Sequence, residues 1–160
     1  MTMQVLPLLL LACCTTGCRV QSADLAAERA TLLAINAHVG KAHFDRDPAA
    51  FLSAVESGWW SAANGAWTYR DKATASKELA DYFAHTTFED IRDVTSPDVH
   101  VSGDGSTAWL RGEVEIRGAT VDSRGVSQPL RFRAAWLDVY EKRQGHWVLV
   151  AKANTQRAIE

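Results

Sequence analysis

Residues 138–156 read DVYEKRQGHWVLVAKANTQ. Two β-prone runs flank a charged turn containing Gly145, and Trp147 restarts the alternation after it. With Arg143-Gln144-Gly145 as a three-residue loop and a bulge at Gly145, the strand alignment follows. Glu141 then faces Trp147, Val139 faces Leu149, Leu137 faces Ala151 and Ala135 faces Ala153. That side is apolar and is expected to cover helices. The other side carries Trp136, Asp138, Tyr140, Val148, Val150 and Lys152, a mixture that fits neither a core nor a solvated face. A two-residue turn would shift the alignment and exchange the two sides, because side chains alternate with a period of two.

Working back from this ribbon, residues 107–118 (TAWLRGEVEIRG) alternate cleanly. Ala108, Leu110, Gly112, Val114 and Ile116 take one side; Trp109, Arg111, Glu113, Glu115 and Arg117 take the other. Pro97 predicts a bend or bulge in the strand before it, and residues 103–106 (GDGS) predict a turn. Asn64-Gly65 tolerates the positive φ angles of a two-residue hairpin turn, which pairs Ala63 with Ala66, Ala62 with Trp67 and Trp60 with Tyr69. Trp60, Ala62, Trp67 and Tyr69 then form an aromatic slab on one face.

Three helices are expected among the earlier residues. The first spans roughly 23–44, with Leu25, Leu32, Ile35, Val39 and Ala42 near one side. The second starts at Asp47-Pro48, an N-cap followed by proline at the first helical position. The third, capped by Thr74 or Ser76, buries Leu79, Tyr82, Phe83 and Thr86. Helices before a run of antiparallel strands mean an α+β domain over 23–160.

Residues 1–22 form a leader. Its apolar run, Val5 to Ala12, is shorter than the ~20 residues a spanning helix needs and suits a secretory signal. All three cysteines, Cys13, Cys14 and Cys18, lie in this segment. Leu10-Leu11-Ala12-Cys13 resembles a bacterial lipoprotein cleavage box, with Cys18 as the alternative lipidated residue. The expectation is secretion across the inner membrane and a lipid-anchored protein facing the periplasm. Mass spectrometry of the membrane fraction checks it: unmodified Cys13 and Cys18 would refute the anchor. The net charge of −2 and the lack of a basic block give nucleic-acid binding no support.

The element order resembles the NTF2-like superfamily, also called SnoaL-like or ketosteroid-isomerase-like, and more narrowly its DUF4440-type domains. The first helix running into Asp47, the stretch DVHVSGDGSTAWLRGEV and the stretch LDVYEKRQGHWVLVAKANT carry the likeness, which covers nearly all of 24–156. The resemblance implies a cone-shaped α+β fold, a curved antiparallel sheet wrapped around three N-terminal helices. It also implies a small-molecule pocket in the cone and a homodimer through the outer sheet face. The mixed face makes Trp109, Trp136 and Tyr140 the expected dimer contacts. Trp60, Tyr69, Tyr82, Phe83 and Arg133 are the expected pocket residues; Arg133 shares the parity of Ala135 and Leu137 and is placed at the cone's mouth.

No metal-ligand spacing occurs, no cofactor is called for, and no catalytic residue maps onto a motif. His38, His43, His85, His100 and His146 are expected at the surface or at helix ends. Three readings stay open: a domain binding a small apolar molecule, a metal-independent acid–base enzyme, and a dimerisation scaffold.

Overall fold

The computed structural model describes residues 24–159. The proposed lipidation sites Cys13 and Cys18 lie outside them. In chain order the elements are α1 (Leu25–Asp45), α2 (Pro48–Phe51), β1 (Gly58–Ala63), β2 (Ala66–Asp71), α3 (Lys72–His85), β3 (Thr86–Val101), β4 (Thr107–Val121), β5 (Ser127–Arg143) and β6 (His146–Ala158). The strands make one sheet in the order β2-β1-β6-β5-β4-β3. All neighbours run antiparallel except β1 and β6. The expected α+β class is the one observed, with the helices over the inner side of a curved sheet.

Local chemistry explains the element ends. Asp24 caps α1 by accepting hydrogen bonds from the Ala26 and Ala27 amides, and Arg46 closes it in the left-handed conformation. Asp47 caps α2 with Pro48 first in the helix. The cap of α3 is Asp71, whose carboxylate accepts from the Thr74 amide at 2.9 Å, rather than Thr74 or Ser76. Asn64 and Gly65 both take positive φ, and the β1–β2 pairing is the expected one. The pairing of β3 with β4 shifts between Thr95 and Asp98, around Pro97. Strand β4 buries Ala108, Leu110, Gly112, Val114 and Ile116 as its alternation predicts.

The closing ribbon corrects the sequence reading. Gln144 and Gly145 both have positive φ, at 50° and 84°, and form a two-residue turn. Lys142 therefore faces Trp147, and Tyr140 faces Leu149. One residue less in the loop turns β5 over, so Trp136, Asp138 and Tyr140 come to the inner face and Ala135, Leu137 and Val139 to the outer one. Between Tyr140 and Val139 the pairing skips Val150: Leu149 opposes Tyr140, and Ala151 opposes Val139. That bulge in β6 keeps Trp147 and Leu149 inside and then turns Lys152 and Asn154 inward as well.

Trp147 is buried, as expected. Its Nε1 donates to Glu28 Oε2 at 2.8 Å, while Lys142 donates to the other carboxylate oxygen of the same residue. The start of α1 is thereby clasped to the β5–β6 turn. Leu32, Val99, Leu110, Tyr140 and Trp147 form one core cluster; Phe83, Phe88, Val114 and Ile116 form another. A third, beneath α2 and α3, contains Leu52, Val55, Trp59 and Ala75.

Candidate functional site

A cavity of ≈ 460 Å³ lies between α1 and the inner face of the sheet. The alternation of β4 and the turned-over β5 supply its wall: Val114, Ile116, Phe132, Ala134 and Trp136. Helix α1 contributes Leu33, Asn36, Ala37, Val39, His43 and Phe44, and Tyr82 comes from α3. Leu33, Phe44 and Tyr82 are its exposed large apolar members and mark the mouth. Gly112 makes room for Trp136: a Cβ there would fall 2.3 Å from the indole Cζ2.

The polar groups are few and mostly covered. Asp138 is 6% exposed. Lys152, directly opposite it on β6, holds its ammonium 3.1 Å from Oδ1. Oδ1 has no hydrogen-bond donor among the described residues, so this is a contact of charges, while Lys152 donates to Oδ2 at 3.5 Å. Tyr140 donates to Oδ2 over a long 3.4 Å. Burial raises the Asp138 carboxyl above its usual range, and the Lys152 charge opposes that. Burial also pushes the Tyr140 phenol up, and the neighbouring carboxylate adds to it. Lys152 further lies over the Trp136 ring, 5.4 Å from its centroid. A carboxylate held and covered in this way is a neutralised pair more than a free base.

His43 is a further polar group of the cavity, which Asn36 and Asn154 also line. Its Nδ1 is 2.9 Å from the Val39 carbonyl oxygen. The ring meets Phe51, Phe83 and Phe88 edge-on, with centroids 5.0, 5.9 and 5.1 Å away. Burial holds its pKa below the ordinary histidine value, and the Lys152 charge acts in the same direction.

The five expected pocket residues divide. Tyr82 lines the cavity. Phe83 is buried in the core behind it. Trp60 and Tyr69 stack edge-to-face at 5.6 Å but sit on the outer face, 53% and 50% exposed. The reason is the parallel pairing of β1 with β6, which sets Trp60 beside Ala151 and turns Trp59 inward instead. Arg133 also lies outside, paired with Glu115 and Glu113, because it shares the parity of Leu137 on the turned-over strand. Of the expected dimer contacts, Trp136 and Tyr140 are inside the cone; Trp109 is on the outer face, stacked on His100 at 5.5 Å. Asp138, Lys152 and His43 escaped the sequence reading. The one available signal for His43 was its place next to Ala42 on the buried stripe of α1.

Comparison with solved structures fixes the architecture. An NTF2-like protein from Cytophaga hutchinsonii superposes with a TM-score of 0.62 at 14% identity, over 81% of this chain and 97% of that one. The fold is NTF2-like. A ketosteroid isomerase-like protein from Erwinia carotovora atroseptica gives 0.59 at 16% identity, over 82% and 98% of the two chains. The association domain of CaMKII from C. elegans gives 0.55 at 16% identity, over 82% and 97%. No protein-family model matches the sequence, and no curated protein does. The likeness to these NTF2-like structures is therefore one of fold, and the chemistry of the cone rests on its own residues. No helix among the described residues is long and apolar enough to cross a membrane.

Proposed function

We propose that this NTF2-like domain binds a small, largely apolar molecule inside its cone. The observation that carries the reading is a cavity of ≈ 460 Å³ that stays open between α1 and an apolar sheet wall, with a neutralised ion pair at its buried end. Ligand pockets fall in the range of about 300–1,000 Å³ and combine apolar walls with a few fixed polar groups. An acid–base reading is less well supported, because Asp138 would have to leave Lys152 before taking a proton.

Titration with the neutral fluorophore N-phenyl-1-naphthylamine tests the binding reading. Saturable enhancement is expected. Ala37→Trp, at an exposed helical position on the cavity wall, should weaken it about tenfold or more while costing the helix only about 0.5 kcal/mol. Equal binding by the variant and the natural protein would refute a site in the cone.

A second reading, self-association, is favoured by the outer sheet face. Trp60, Trp67, Tyr69 and Leu137 are each at least 42% exposed there. A large exposed apolar patch marks an interaction surface. One structural neighbour is itself named as an association domain. Leu137→Glu places a charge on this face, in the row that runs from Trp67 through Ala62 and Ala153, without touching the core. Sedimentation velocity is expected to show a dimer for the natural protein and a monomer for the variant. A monomer in both cases removes the interface.

A further inference from the structure

The hydrogen-bonding state of His43 follows from its neighbours. A carbonyl oxygen only accepts, so the 2.9 Å contact to Val39 requires the hydrogen on Nδ1. The ring is packed among Phe51 of α2, Phe83 of α3 and Phe88 of β3, and Lys152 is the charged group acting on it. Apolar enclosure and a nearby ammonium both disfavour a second proton. Nε2 is then a lone-pair acceptor, it lies in a residue that lines the cavity, and it has no partner among the described residues. The three rings pack edge-on around the imidazole and hold it in place.

An acceptor fixed in an apolar cavity selects for a donor. A hydrocarbon or an ether leaves Nε2 unpaired once water is displaced, and that desolvation is unfavourable. A carboxylate meets the lone pair with another acceptor and adds a charge to a cavity whose buried carboxylate is already matched by one ammonium. We propose that the molecule in the cone is an apolar alcohol whose hydroxyl hydrogen is donated to His43 Nε2. This rests on the binding reading above and names the ligand class for the same cavity.

Three probes of one skeleton test it: decahydro-2-naphthol, its methyl ether and the corresponding carboxylate, each titrated by displacement of N-phenyl-1-naphthylamine. The alcohol is expected to bind roughly three- to tenfold more tightly than the ether, the value of one hydrogen bond. In His43→Phe the two should bind alike, with the ether's affinity retained. The natural protein gives an independent readout: the ¹⁵N resonance of His43 Nε2 should move upfield with the alcohol and stay with the ether. Equal affinities, a preference that survives in His43→Phe, or tightest binding of the carboxylate would each overturn the proposal. If the fluorophore binds but no probe displaces it, the alcohol assignment fails alone. If the fluorophore does not bind either, the cavity reading falls with it.

Discussion

Phe83→Ala is expected to lower the free energy of unfolding by about 3–5 kcal/mol, the usual cost of truncating a fully buried phenylalanine. Phe83 is 2% exposed and packs with Phe88, Val114 and Ile116 behind the cavity wall. Its ring also meets Phe51 and Phe88 edge-on, at 6.2 and 6.3 Å. Each such pair adds about 0.5–1.5 kcal/mol beyond area burial. Tyr82→Ala is the control: that side chain is 38% exposed at the mouth, and its loss should cost under about 1 kcal/mol. Urea unfolding of the two variants measures the difference. Similar small losses for both would mean that Phe83 belongs to the site and not to the core.

Gly112→Ala should destabilise the domain by about 1–3 kcal/mol, although alanine is ordinarily the better strand residue. The sign is set by sterics. A methyl group at this position falls 2.3 Å from Trp136 Cζ2 and 2.7 Å from Cη2. The indole must therefore leave the sheet and enter the cavity, so loss of fluorophore binding is expected together with the loss of stability. Trp136→Leu as a second substitution should relieve the clash. In that background the cost of Gly112→Ala should fall by more than the ~0.5 kcal/mol within which independent sites add. An unchanged cost would show that the indole does not rest on Gly112.

The architecture was legible where the chain carries its own punctuation. Asn64-Gly65, Asp47-Pro48 and the strict alternation of 107–118 each allow one local structure, and each formed it. The inside of the cone was not legible, because it depends on one residue of loop length. Gln144 takes a positive φ that its side chain does nothing to announce. The run Val148-Leu149-Val150-Ala151 is apolar throughout, so no polar residue marks the bulge that skips Val150. Those two local choices decide whether Asp138, Tyr140 and Lys152 face the cavity or the solvent. Trp60 and Tyr69 were correctly placed on one face of their hairpin, but hairpin geometry alone cannot tell which side of the whole sheet that face will be. Arg133 followed the same shift, and it met Glu113 and Glu115 on the outside.

Asp138 and Lys152 are direct cross-strand neighbours, one step beyond the bulge. A ribbon of alternating small and apolar residues can slide by two positions and keep every side chain on its own face. Here such a slide would set the covered carboxylate opposite Leu149 or Asn154 and leave the ammonium without its counter-ion. Stranding a single buried charge costs about 3–5 kcal/mol, far more than the slide could recover from packing. The two charges thus act as a dowel through β5 and β6: they bar misaligned ribbons during folding and hold the cone to one shape.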